Sequence, residues 1–298
     1  MGQPPLTAAG LVWRPSPGLG WARGFAVHDV SLELIPGEIA AVAGAHGAGK
    51  TALLELLGGR RRPHAGVVRV AGHAVHSAVA RRLLGFAPEH AVFPPGLTVR
   101  ETLEYFARYH APGVGRRALV ARALELVGLD AAPALRTGTL AAGLRARLAI
   151  AQAVLGGRRV VLLDEPFTGL DDPSRHALGA ALQRLAAGGV ALLVTSRDAT
   201  PLEGVATRAI VLDRGRVVRD GAMATLLGRR VLEVVLDRSP VVPPPGFRLT
   251  ATGVEAELGE TTVEAALALC RAHRLAVRAS RVRERPLHEV IARLPGAR

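Results

Sequence analysis

Asparagine is absent from this chain, and lysine occurs once, as Lys50; every other residue among the 38 Lys and Arg is arginine. Cysteine is also a single residue, Cys270, which excludes an internal disulfide, a cysteine-based zinc site and a redox pair, and suits a reducing compartment. Aromatics make up only 3% of the 298 residues, yet 49% are hydrophobic, enough for a substantial core in one large domain or a domain with an appendage. No apolar run approaches the roughly 18–20 residues that span a bilayer. The start, with Pro4 and Pro5 and no basic segment before an apolar stretch, does not read as a secretion signal. These absences lead to the expectation of a cytoplasmic protein. The formal charge of +13 is spread over scattered arginines with short clusters such as Arg60-Arg61-Arg62; it suits a place beside acidic lipid headgroups. Internal repeats, heptads and low-complexity tracts are missing. No acidic or cysteine ligand lies among His64, His73 and His76, so they read as strand or surface histidines.

The lone lysine falls in Gly44-Ala45-His46-Gly47-Ala48-Gly49-Lys50-Thr51, a G-x-x-x-x-G-K-T string. It follows the apolar run Glu38–Ala43 and precedes Ala52-Leu53-Leu54, a strand–loop–helix context. There, backbone N–H groups from Gly44 to Ala52 would cradle the phosphates of a nucleoside triphosphate, and Lys50 would reach the β- and γ-phosphates. The Thr51 hydroxyl would bind Mg²⁺, with the positive end of the helix aimed at the anion. A second string, Val160–Leu163 followed by Asp164-Glu165-Pro166, ends an apolar strand in two acids. Asp164 would complete the Mg²⁺ shell, and Glu165 would act as general base or orient the attacking water.

Strand and helix patterns alternate from residue 1 to about 225, which argues for an α/β domain. Val27–Ile35, Glu38–Ala43, Val160–Leu163, Val190–Val194 and Ile210–Leu212 read as strands. Leu97–Gly157 reads as helical throughout, starting near Thr98 or Arg100 and punctuated by Gly113, Gly128 and Gly138. The tail reads strand (Val231–Leu236), strand (Gly253–Leu258), helix (Thr262–His273), strand (Ala276–Val282) and short helix (Leu287–Leu294), with Pro240–Gly246 as a loop.

Residues 5–225 resemble the nucleotide-binding subunits of ABC transporters, on the strength of both strings together with Val27–Leu32, Pro36-Gly37-Glu38-Ile39 and Gly169-Leu170-Asp171. The resemblance implies an α/β fold, the P-loop NTPase ABC cassette: a RecA-like core with an antiparallel β subdomain and an inserted helical subdomain at about 97–157. The cassette would span 1–225, followed by a small α+β C-terminal domain over 226–298. It also implies ATP and Mg²⁺ as ligands, adenine stacked on Trp21, and Asp171 in a dimer-contact loop. Two cassettes, as a homodimer or a heterodimer, would sandwich ATP head to tail, each site completed by the partner's signature.

Three family elements are altered. The signature, usually L-S-G-G-Q, reads Leu140-Ala141-Ala142-Gly143-Leu144: Ala141 lacks the hydroxyl that meets the partner's ATP, and Ala142 adds a Cβ where the backbone must approach closely. One lost charge-assisted hydrogen bond costs about 1.5–3 kcal/mol. The usual Gln is Glu89, which keeps an oxygen for Mg²⁺ or water and adds a charge. The usual switch His is Arg197, which either grips the γ-phosphate or faces solvent, and which cannot relay a proton as imidazole does. Two functions follow as expectations: an ATPase subunit driving a separate membrane permease from the cytoplasmic face, slowly or asymmetrically, or an ATP-binding regulatory partner of a more competent cassette. A role on nucleic acid is not expected, since only about 110 residues separate the two strings, without heptads, and one cassette is present. Phe93, in the Pro-rich loop Ala91–Gly96, is expected at the permease, and Tyr105 and Tyr109, one helical turn apart, in the core. The ending Arg285–Ile291 resembles that of daunorubicin-resistance-type exporters and points to export.

Overall fold

The structure, a computed structural model, describes residues 3–15, 26–110, 115–197, 200–227, 230–237, 242–258, 262–284 and 289. Strands β1 (Leu6–Trp13) and β2 (Val27–Leu34) pair antiparallel, and in β2 buried and more exposed residues alternate, as for a sheet packed on one side. β3 (Ile39–Ala43) is buried at all five positions and leads through the glycine-rich loop into α1 (Lys50–Leu57). β4 (Ala65–Val70) and β5 (His73–Ala74) then complete an antiparallel sheet in the order β2-β1-β4-β5. α2 (Ala78–Leu83), whose first turn is capped by the Ser77 hydroxyl, delivers the chain to β6 (Leu84–Ala87).

The helical block contains α3 (Val99–His110), α4 (Arg116–Val127) and α5 (Ala142–Val154). Thr98 and Glu101 form a reciprocal cap at the start of α3: the Thr98 Oγ1 accepts from Glu101 N, and Glu101 Oε2 accepts from Thr98 N. The expectation of helix throughout 97–157 is corrected at residues 129–141, which hold only a 3₁₀ turn at Thr137–Thr139. There the backbone works across the gap instead of along a helix. Val99 N and Arg100 N donate to Leu135 O and Pro133 O, and Thr137 N donates to Leu97 O.

The remaining cassette elements are β7 (Val160–Leu163), α6 (Asp172–Ala187), β8 (Ala191–Ser196), α7 (Thr200–Glu203), β9 (Arg208–Asp213), β10 (Arg216–Ala222) and α8 (Met223–Leu227). The central sheet runs β10-β9-β3-β8-β7-β6, parallel except for the edge strand β10. Both of its faces are covered, which is why its middle strands are almost continuously apolar. Ile39, Ala41, Val161, Leu163, Leu192 and Val194 face a core shared with α3 to α6. Ala40, Val42, Leu162, Leu193 and Leu212 face the other core, shared with α1 and the antiparallel sheet. This sandwich of sheet, sheet and helices is the α/β ABC cassette fold expected from the resemblance.

Farther along, β11 (Arg230–Leu236), β12 (Phe247–Thr250), β13 (Gly253–Leu258), α9 (Val263–Ala272) and β14 (Val277–Glu284) follow. They build a third sheet, antiparallel, in the order β12-β13-β11-β14, with an apolar cluster that includes Leu232, Val234, Val254, Ala266 and Cys270. The short helix expected at Leu287–Leu294 and the exporter-like ending lie outside the described residues, apart from Glu289.

Candidate functional site

Parallel pairing brings the C-terminal ends of β3, β7 and β8 side by side, with Ala43 opposite Ser196 and Leu163 opposite Val194. The glycine-rich loop, the two acids and Arg197 all emerge from these ends, so segments more than a hundred residues apart meet in one cleft. His46 to Thr51, Glu165 and Arg197 line it. Gly49 caps α1 at φ +100°, a conformation that L side chains avoid, and a Cβ there would lie 2.8 Å from the Ala26 carbonyl oxygen. No side chain caps this end of α1, which leaves the N–H groups of its first turn for an anion.

Lys50 is buried beside this turn. Its Nζ donates to the carbonyl oxygens of Gly44 at 2.8 Å and Ala45 at 3.2 Å and lies 3.8 Å from Glu165 Oε1. Burial lowers its pKa, and the Arg197 charge lowers it further, against the opposing pull of Glu165 and Asp164. Asp164 is 4% exposed and Glu165 5%, so both charges interact through a weakly screening medium. Burial raises the Asp164 pKa. Hydrogen bonds from Thr195 and Thr51 oppose that shift, while the negative charges of Glu89 and Glu55 add to it. Thr51 Oγ1 lies 3.3 Å from Asp164 Oδ1, a hydroxyl and a carboxylate together. Such an all-oxygen pair suits a hard divalent cation.

Glu165, two residues past the end of β7, has φ +49°, a left-handed conformation that costs a non-glycine residue about 1–2 kcal/mol. Several bonds hold it there. Its N–H donates to Thr195 Oγ1 at 2.8 Å, while its Oε2 accepts from Arg197 N at 3.0 Å and lies 3.3 Å from Thr168 Oγ1. Thr195 also donates to Asp164 Oδ1 at 2.7 Å, so one buried hydroxyl ties both acids together. Thr195 and Thr168 were not singled out from the sequence. The signal available was a hydroxyl residue at the end of an apolar strand, one place before the last strand residue. Arg197 neither faces solvent alone nor stands free: its Nη2 donates to Glu89 Oε1 at 2.6 Å, and its Nε lies 3.5 Å from Glu165 Oε1.

The signature segment does not line this cleft, but Ala142 lines the adjoining cavity with Glu89, Asp164 and Glu165. Ala141 is the N-cap of α5 and offers no side-chain bond, and Ala141 and Ala142 are exposed. Gly143 is buried against Ser174; a Cβ would meet the Ser174 Oγ at 2.5 Å and its Cβ at 2.7 Å. Leu144 packs against the large core. Asp171 caps α6, its Oδ1 accepting from Ser174 N at 3.0 Å, and these bonds lower its pKa. Trp21 lies outside the described residues. The other tryptophan, Trp13, ends β1 opposite Val27, next to the Ala26 that abuts Gly49, and the Arg61 guanidinium lies 4.7 Å from its ring centre.

The docking expectation for Phe93 and the core expectation for Tyr105 and Tyr109 are both corrected. Phe93 is buried in the large core and presents no surface to a partner. Tyr105 and Tyr109 are 45% and 71% exposed, because α3 turns Leu103 and Ala107 inward, and the two rings meet edge to face on its outer side.

The sequence profile described as ABC transporter matches residues 27–168. The Nod factor export ATP-binding protein I of Paraburkholderia xenovorans is 34% identical over 208 residues, 69% of this chain and 68% of that protein. Its namesake in Ralstonia nicotianae is 31% identical over 238 residues, 76% and 74% of the two chains. Among solved structures, cbiO1 from Clostridium perfringens, described as part of the ABC transporter complex cbiONQ, superposes with a TM-score of 0.66 at 22% identity, covering 76% of this chain and 91% of that one. A dimeric, post-hydrolysis ATP-binding cassette bound to ADP and Pi gives 0.65 at 22% identity, covering 73% and 98%. At such identity these two structures speak for the fold alone.

Proposed function

Since the chain belongs to the ABC transporter ATP-binding family, an ATP-binding and ATP-hydrolysing group, we propose that it drives an exporter through ATP-dependent closure of a cassette dimer. The observation that carries this reading is the convergence of Lys50, Thr51, Asp164 and Glu165 in one buried cluster at the strand ends. Export is supported by the relatives named as Nod factor export proteins. Among the described residues no helix is long and apolar enough to cross a membrane, so the transport path is assigned to a separate permease. The cassette is assigned to 1–225 and an accessory α+β domain to 226–298.

In this reading Gly44 to Ala52 bind the phosphates, with the uncapped first turn of α1 facing them. Lys50 exchanges its loop carbonyls for phosphate oxygens. Thr51 and Asp164 would hold Mg²⁺, with Glu89 near enough to add charge, and the ion would draw electron density from the phosphate oxygens. Glu165, fixed by Thr195, Thr168 and Arg197, orients the attacking water and accepts its proton. Adenine would stack on Trp21 or on Trp13. Asp171 and the segment Ala141 to Leu144 would face the partner cassette.

A second reading, an impaired partner within an asymmetric pair, is favoured by one observation: the N-cap of α5 has no side-chain donor or acceptor at Ala141. Steady-state ATPase assays of the purified chain decide between the two. Mg²⁺-dependent turnover abolished by Lys50→Ala supports the first reading. ATP binding without turnover, restored only by adding a second cassette, supports the other.

A further inference from the structure

Arg197 stands between two carboxylates with different duties. Its backbone N–H and Nε are on Glu165, at 3.0 and 3.5 Å, while its Nη2 is on Glu89 at 2.6 Å. Arg197 lines the same cleft as the glycine-rich loop and Glu165. Glu89 lines the neighbouring cavity, with Asp164, Glu165 and Arg145. His90 Nε2 lies 3.9 Å from the same Glu89 oxygen. The guanidinium of the phosphate cleft is therefore already bonded to an anion from the adjoining loop.

We propose that Glu89 is a built-in competitor for the terminal phosphate: it holds Arg197 until ATP takes it, and so sets how far the chain prefers ATP over ADP. The inference rests on reading the cleft as an ATP site. A planar guanidinium binds carboxylate and phosphate with the same fork of donors, so two anions compete for one cation. The pair is breakable, because the Arg197 side chain is 46% exposed and that of Glu89 19%, and water screens such pairs. ADP, lacking the terminal phosphoryl group, leaves the pair intact and pays nothing for it. Only ATP must displace Glu89. The Arg197 backbone bond to Glu165 survives the exchange, so the general base stays placed while the side chain changes partner. Glu89 and Arg197 thus act as positioning residues, each through the other.

The test is equilibrium binding of ATP and of ADP to the full chain, with Mg²⁺ and in EDTA, for the wild type, Glu89→Gln, Arg197→Ala and the double variant. Glu89→Gln is expected to tighten ATP about three- to tenfold, ~0.7–1.4 kcal/mol, with ADP unchanged and the gain retained in EDTA. In the Arg197→Ala background Glu89→Gln should change neither nucleotide. Unchanged ADP affinity also reports that each variant is folded. Equal shifts for ATP and ADP, no gain for ATP, a gain confined to Mg²⁺, or a gain that survives Arg197→Ala would each overturn the proposal. A wild-type chain that binds neither nucleotide would overturn the ATP-site reading itself, which is a different result from bound nucleotide with no effect of Glu89.

Discussion

Replacing Thr195 with valine keeps the shape of a fully buried side chain and removes the hydroxyl that serves both acids. Two bonds go: the 2.7 Å donation to Asp164 Oδ1 and the 2.8 Å acceptance from Glu165 N. The second loss leaves a buried backbone N–H without that partner at a residue already in a left-handed conformation. An unsatisfied buried group costs about 1–3 kcal/mol and a bond to a charged group about 1.5–3, and because the two share one oxygen the sum is not additive. The expected loss is about 2–4 kcal/mol, and with Thr195 gone burial drives the Asp164 pKa further up. Thr195→Ser retains both bonds and loses one methyl group, about 1 kcal/mol. Urea unfolding of the three proteins, read by circular dichroism, gives the comparison, and ATPase turnover should fall in the valine variant well below that of the serine variant. If valine and serine cost the same within about 0.5 kcal/mol and turn over ATP alike, the bridging role of Thr195 is refuted.

Gly143→Ala sets helix propensity against packing: alanine gains up to about 1 kcal/mol in the helix, while its Cβ meets Ser174 at 2.5–2.7 Å and overpacking costs about 1–3. A net loss in thermal stability is expected, relieved by Ser174→Gly in the double variant; additive effects would contradict the contact. Asp171 has a folded pKa depressed by its cap to Ser174, so its contribution is present above the ordinary carboxylate pKa and is lost as pH falls through the folded value. Acid titration of thermal stability should therefore flatten in Asp171→Asn, which keeps an acceptor oxygen and cannot titrate; an unchanged acid slope would remove Asp171 from that dependence. Arg208 binds Asp220 through two bonds, at 2.6 and 2.7 Å, and the Glu33 carbonyl at 2.8 Å. Arg208→Ala should cost about 1.5–3 kcal/mol in urea unfolding, and a loss under 0.5 would show that solvent replaces the fork.

β3, β7 and β8 were legible in the sequence because strands buried on both faces are almost continuously apolar, and the loop and acids at their ends follow from phosphate and metal chemistry. β1, β4 and β6 carry weaker patterns. β1 has Ala8, Ala9 and Gly10 in its middle, and β6 is only four residues long, so their identity as strands comes from their partners. The break at 129–141 was hidden because its residues spend their backbone bonds on α3, a tertiary choice that helical periodicity does not report. Phe93 and the two tyrosines exchanged places for a similar reason. A proline-rich loop can fold inward over a core, and i, i+4 spacing names a helix face without naming its direction. The Glu89–Arg197 and Thr195–Asp164 pairs join residues 108 and 31 positions apart. Glu89, Arg197 and Asp164 were legible one by one and Thr195 was not; the pairing needed the strand order.

In the proposed function Glu165 turns over ATP held between two cassettes. Its most direct test is the mass of Glu165→Gln in ATP and Mg²⁺, measured by light scattering after gel filtration beside the wild type. Wild-type turnover is expected to be lost in Glu165→Gln, together with the appearance of a stable, ATP-containing dimer. A Glu165→Gln chain that stays monomeric with ATP bound, or that hydrolyses ATP as fast as the wild type, would contradict it.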